Sequence, residues 1–309
     1  MTGSISPALA LAQQLSARFS AFTQVVAVAL GGSQAGGRPD PTSDIDLYVF
    51  TTEFLPLAER QKITADFNVQ RADLNLTFWD LGDEWFDGES GIEVDVIYWD
   101  PAWIEGQLAR VVDQCQPSMG YSTCFWHTLR SARPLYDRAG WFSALQHKAA
   151  QPYPEALRLA IIRQNHAVLR RVIPSYTHQI EKAARRGDLV SVNHRVAALL
   201  ASYFDVIFAL NRVLHPGEKR LVQLVESRGG PADQPGVTYR QMTDAAGLKA
   251  ISAYADGLGP EWIMVTPIVD GAPGPAGPLV QDAHAAGLFV LAGEANPARR
   301  RVLDAAIYR

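Results

Sequence analysis

A Val-rich run, Gln24–Leu30 (QVVAVAL), stops on Gly31-Gly32-Ser33, and ten residues later a second run opens as Asp44-Ile45-Asp46-Leu47. The first run reads as a buried strand. Two glycines at its end let the backbone approach a bulky ligand, because glycine lacks Cβ and tolerates unusual φ/ψ. A helix starting there would offer free N–H groups and its dipole to a phosphate, and the Ser33 hydroxyl would add a donor. In the second run Asp44 and Asp46 are two apart, so on a strand they share one face, while Ile45, Leu47 and Val49 anchor the other. Two carboxylates that close repel each other unless a cation sits between them. Oxygen ligands beside phosphates suit Mg²⁺, which keeps waters and takes one or two carboxylates. Glu93 and Asp95 repeat the pattern on Glu93–Trp99 (EVDVIYW), with Val94 and Val96 opposite. A lone Asp-x-Asp is commonly a solvated strand face, and a lone Gly-Gly-Ser a turn. Their combination after a hydrophobic strand points to a nucleotide-phosphate site.

The rest of the chain builds on this core. Ser6-Pro7 followed by Ala8, Leu11, Leu15, Phe19 and Phe22 predicts a capped amphipathic helix. Leu55–Phe67 reads as a helix and Asp73–Trp79 as an alternating strand. The order helix, strand, strand, helix, strand, strand predicts an α/β (α+β) domain with a mixed sheet over residues 1–150. From Pro101 the period becomes helical, with Trp103–Cys115, Tyr121–Ser131 and Ala139–Ala150 as helices and Pro134–Asp137 as a turn. Pro154–Leu214 predicts about three helices broken at Pro174 and Gly187, so residues 151–309 are expected to be an all-α helical bundle. Glu218–Ser227 predicts a short helix, Ser227–Val237 a loop, and Pro267–Pro278 a Gly/Pro-rich linker. One or two small helices should form the tail.

Charge divides the same way. Residues 1–154 hold 10 basic and 18 acidic residues, whereas 155–220 hold 11 and 5; the whole chain nets −4. That balance argues against a general nucleic-acid binder. Phosphates still need cations, and the acidic part offers few besides Arg38. Lys219, with Arg220 behind it, is the candidate for the β/γ-phosphates, although both could simply face water. Arg170-Arg171 and Arg185-Arg186 read as solvated helix faces. His166, His178, His194 and His215 lack metal-ligand spacing, and Trp79, Trp85, Trp99, Trp103 and Trp126 read mainly as packing. Cys115 and Cys124 fit neither a redox pair nor a zinc knuckle. With no secretory leader and no apolar run near 18 residues, the expectation is a cytoplasmic protein without a membrane partner.

Gly31-Gly32-Ser33, Asp44-Ile45-Asp46 and Asp95 together resemble the DNA polymerase β-like nucleotidyltransferase superfamily, in particular its bacterial two-domain branch of kanamycin and lincosamide nucleotidyltransferases. Pro134–Asp137 and Phe208–Leu221 add a weaker likeness to the helical domain of those enzymes. The resemblance implies that Gly31, Gly32 and Ser33 cradle a triphosphate, with ATP the expected nucleotide, and that Asp44 and Asp46 bind Mg²⁺. It implies that Asp95 is a third metal ligand or the general base, with Glu93 the alternative base. It further implies a small-molecule hydroxyl acceptor of antibiotic-like class, release of pyrophosphate, and a homodimer to which the tail beyond Pro278 could contribute. Transfer to a tRNA or protein acceptor, or nucleotide binding without catalysis, are the alternatives.

Overall fold

The computed structural model describes residues 6–32, 44–69, 71–78, 80–219, 221 and 238–253, and toward the end 257–258, 265, 268–269, 272–273, 275 and 277–290. It divides into two compact units, Met1–Leu221 and Val222–Arg309.

In the first unit, helix α1 (Pro7–Ser20) begins where the Ser6 hydroxyl accepts from Leu9 N–H and Pro7 occupies the first turn. Then follow β1 (Val25–Leu30), β2 (Ile45–Thr51), α2 (Leu57–Ala65), β3 (Arg71–Leu76), β4 (Gly82–Phe86) and β5 (Glu93–Trp99). Next come α3 (Pro101–Val112), α4 (Cys124–Ser131), β6 (Arg133–Asp137) and α5 (Trp141–Ala149). The remainder is helical: α6 (Glu155–His166), a π-helical turn over Ala167–Arg171, α7 (Tyr176–Arg185) and α8 (Leu189–Leu210). The expected architecture, a mixed sheet with helices followed by a helical region, is what forms.

The six strands order as β3-β4-β5-β2-β1-β6. Only β2 and β5 run parallel. Two strands differ from expectation. Gly82–Phe86 carries Asp83 and Glu84 among its five residues, yet it pairs on both sides as β4. Pro134–Asp137, expected as a turn, lies in β6 at the sheet edge, where the missing N–H of Pro134 costs little.

Strand alternation gives the sheet two working faces. One carries Val28, Leu30, Ile45, Leu47, Val49, Val94 and Val96 into a core closed by Leu11, Leu15 and Phe19 of α1 and Ile63 of α2. The other carries Ala27, Ala29, Phe50 and Trp99 into a core with Ile104, Leu108, Trp126, Leu129 and Phe142. That second core continues to Leu157 and Ile161 of α6 and Ala209 of α8. The change from acidic to basic composition near residue 154 therefore falls inside one compact unit.

Beneath the first face Arg60, 3% exposed, reaches the Asp83 carboxylate and the Asn75 side chain. Asp83 also accepts from Tyr98 Oη at 2.7 Å and from Asn75 N–H at 2.8 Å. Breaking one side of a buried pair strands the other charge. Arg60→Met should therefore cost about 3–5 kcal/mol in a urea melt, a loss an exposed pair such as Arg71–Asp73 would not produce on cutting.

The second unit contains α9 (Tyr239–Met242), α10 (Ala245–Ile251) and α11 (Leu279–Ala285). Two-residue strands accompany them: β7 (Gly257–Leu258) parallel to β10 (Phe289–Val290), and β8 (Ile268–Val269) antiparallel to β9 (Ala272–Pro273). Leu248, Ile251, Val265, Leu279 and Ala283 form its core. Strands β8 and β9 lie in the segment expected as a linker. Ser33, Arg38, Trp79, Arg220, most of Glu218–Ser227 and all of Ser227–Val237 fall outside the described residues. Among the described residues no helix is long and apolar enough to cross a membrane.

Candidate active site

The second sheet face is covered by helices at the Phe50/Trp99 end, and its other end carries the carboxylates. Parallel pairing of β2 with β5 sets Asp46 directly opposite Asp95. Antiparallel pairing of β5 with β4 sets Asp95 opposite Glu84, and β3 adds Asp73 opposite Glu84. Residues in register share a face, so four acidic side chains cross four strands in one row, with strands roughly 4.8 Å apart. Asp73, at the outer end, is paired with Arg71 at 3.0 Å. Asp44 immediately precedes β2, and Glu93 opens β5 on the same face but exposed.

The two glycines at the end of β1 are required by what β2 places against them. Gly31 N–H donates to Asp46 O at 2.8 Å. A Cβ on Gly31 would overlap the Tyr48 ring, coming within 3.0 Å of Oη. A Cβ on Gly32 would overlap Asp46 Oδ2 and lie 2.7 Å from Cγ; Gly32 also has φ +56°. The Gly-Gly pair therefore leaves room for the Asp46 carboxylate at the head of the strand.

Electrostatics mark the same cluster. Asp95 is pushed up to about 7, first by burial and then by Asp46, Glu84, Asp44 and Glu93. Asp46 is raised by burial and by Asp44, while Lys219 pulls it down. Burial raises Tyr48, and Asp46 and Asp95 add to the rise; Thr128 of α4 hydrogen-bonds its hydroxyl. Crowded like charges are the donor chemistry that a divalent cation relieves. Among the described residues, no group of three or more His, Cys, Asp or Glu could hold a metal ion between them. The facing carboxylates fit a divalent cation held by one or two of them and completed by phosphate oxygens and water.

Lys219, far from Asp46 in sequence, reaches it electrically through a turn pinned to the start of α4. His215 N–H donates to Thr123 Oγ1 at 2.8 Å, and Gly217 N–H to His215 Nδ1 at 3.2 Å. The His215 ring is fully buried between Tyr121 and Phe208. The loop before α4 is held in turn by Asp205 of α8, which accepts from Ser122 N–H, Ser122 Oγ and Asn165 Nδ2. Asn165 Oδ1 accepts from Gly120 N–H.

Two buried groups here titrate in opposite senses. Burial raises Asp205 to about 6 and lowers His215 to about 4. The raised carboxylate contributes stability present below pH 4 and lost as pH rises through 6. The lowered imidazole contributes stability present above pH 6.5 and lost as pH falls through 4. Across pH 4 to 6.5 they largely cancel. Asp205→Asn removes the first, so the stability difference between variant and wild type should move in the variant's favour by about 2 kcal/mol over that range. Urea melts at both pH values measure it.

Of the expected residues, the structure brings together Gly31, Gly32, Asp44, Asp46, Asp95 and Lys219. Glu93 stands at the margin. Glu84 and Tyr48 were missed. The alternation in Gly82–Phe86, with Asp83 and Trp85 buried and Glu84 on the opposite face, was the available signal for the former. Trp85, Trp99 and Trp126 are buried, as expected of packing, whereas Trp103 is 37% exposed.

Residues 11–111, the part of the chain that holds this Gly-Gly turn and the facing aspartates, match the family model described as a nucleotidyltransferase domain. The likeness to the polymerase β-like enzymes is borne out for this part of the chain. Residues 125–221, which include Lys219 and the helices around it, match a second model, described as a domain of unknown function (DUF4037). Among solved structures, a nucleotidyltransferase-like protein from Exiguobacterium sibiricum 255-15 is similar at 10% identity and TM-score 0.34, over 69% of this chain and 62% of that one. No curated protein matches the chain.

Proposed function

We propose that the protein transfers AMP from ATP to a hydroxyl of a small, cationic acceptor and releases pyrophosphate. The observation that supports this most is Asp46 facing Asp95 across β2 and β5 at the head of a Gly-Gly turn. Gly31, Gly32 and Ser33 receive the triphosphate, and Lys219 meets its outer phosphates. Asp44 and Asp46, with Asp95 beside them, hold Mg²⁺, which when bound neutralises charge on the phosphates. Asp95, half-buried and in register with Asp46, takes the proton of the acceptor hydroxyl, a role Glu93 fits less well because it is exposed at the strand start. The hydroxyl oxygen bonds to the α-phosphorus as the bond to the β-phosphate oxygen breaks, and pyrophosphate leaves with that electron pair.

Continuation of the acid row from Asp95 to Glu84 supports an acceptor carrying amines, of aminoglycoside-like class. On this reading the division at 150/151 is functional: the sheet part supplies carboxylates and the helical part supplies Lys219. The test is pyrophosphate release from ATP and Mg²⁺ against a panel of polyhydroxylated amines and neutral sugars. Release confined to the amines is expected. Release from no acceptor, or equal release by Asp44→Asn/Asp46→Asn, would overturn the reading.

A further inference from the structure

An amphipathic helix normally turns its apolar stripe inward. Helix α8 does so on one side, burying Ser202, Asp205, Val206, Phe208 and Ala209. Its opposite side is also apolar and faces out. Leu189 is 72% exposed, Val196 37%, Leu200 44%, Tyr203 44% and Leu210 41%, and Val190 beside them 81%. With Asn193 and Ile207 these positions follow one another in alternating steps of four and three, the spacing of a helix-pairing seam. One polar residue within such a seam, here Asn193, is a device for fixing register.

We infer that this face of α8 is a dimerisation surface whose occupant is the same face of a second copy of the chain. The exposed apolar side chains present on the order of 500 Å², against about 800 Å² that each partner contributes to a stable interface. The seam thus supplies the apolar centre of a standard-sized interface and needs only a polar rim to complete it. A face that is apolar along some six turns and bears one helical repeat is self-complementary, as a two-fold interface requires. None of the seam positions, Leu189, Asn193, Val196, Leu200, Tyr203, Ile207 and Leu210, carries a charge, and the exposed arginine pairs Arg170-Arg171 and Arg185-Arg186 belong to the segments before α8. This surface is independent of the carboxylate site, so its test stands whether or not nucleotidyl transfer is found.

The experiment is sedimentation equilibrium of the full chain from about 1 to 100 µM, with Leu200→Glu, Tyr203→Glu and, as a control on another helix, Leu159→Glu, which is 46% exposed on α6. Wild type and Leu159→Glu should be dimers. Leu200→Glu and Tyr203→Glu should weaken dimerisation at least 100-fold with unchanged far-ultraviolet circular dichroism. Leu200→Cys should crosslink between copies under mild oxidation. Three results would overturn the inference. One is a wild type monomeric throughout; another is a dimer indifferent to both glutamates. The third is a monomer that sediments with anionic phospholipid vesicles and loses that binding in Leu200→Glu, which would assign the face to a lipid surface.

Discussion

Asp46→Asn lowers nucleotidyl transfer by roughly 10³-fold while the melting temperature stays level or rises. On the proposed function the two effects part, because the carboxylate then serves the chemistry at the expense of stability. It is half-buried at the head of β2, raised by burial and by Asp44, and directly opposite Asp95. An amide keeps the shape and the contact with Gly32 but removes a charge that the fold does not need. Steady-state pyrophosphate release and a thermal melt on the same preparation check the pair. A large loss of stability alongside the loss of rate would assign Asp46 to the fold instead.

Gly32→Ala should cost about 10²-fold in kcat/KM, the scale expected when a reacting group is displaced by an ångström or so. Two causes act at this position. The backbone is left-handed at φ +56°, which disfavours any Cβ, and the Cβ itself would occupy the space of Asp46 Oδ2. Gly91 separates them. It has φ +68°, and a methyl carbon placed there would meet nothing within 4 Å, so Gly91→Ala carries only the conformational cost. That cost is about 1–2 kcal/mol for each variant. Activity should fall in Gly32→Ala and persist in Gly91→Ala; equal loss in both would mean that backbone strain, and not the collision with Asp46, is responsible.

These two residues also show how far the chain can be read from its sequence alone. The Val-rich strand, the glycines and the paired aspartates are local patterns, and period-two alternation places Asp44, Asp46 and Asp95 on strand faces. Which faces coincide is a matter of register. That depends on β2 lying parallel to β5 across an intervening helix and two strands, which no local pattern encodes. Glu84 was hidden for a related reason. Its strand has an acidic inward residue, Asp83, tolerated because Arg60 and Tyr98 meet it from elsewhere in the chain. Pro134 disguised β6 as a turn, because proline is excluded from central strands but not from an edge. Lys219 is legible in the sequence only as a charge, and what brings it to Asp46 is His215 held by Thr123. The outward seam of α8 is hidden because an apolar helix in a bundle is expected to be buried.

The proposed function has facing aspartates at a Gly-Gly turn direct attack at the α-phosphorus. It is tested most directly by incubating the protein with Mg²⁺, an amine-bearing hydroxyl acceptor and ATP labelled separately at the α- or the γ-phosphate. Label from the α-position should appear in the acceptor and label from the γ-position in pyrophosphate, with neither appearing in Asp46→Asn. Transfer of the γ-label to the acceptor, or α-label moving equally in Asp46→Asn, would contradict the account.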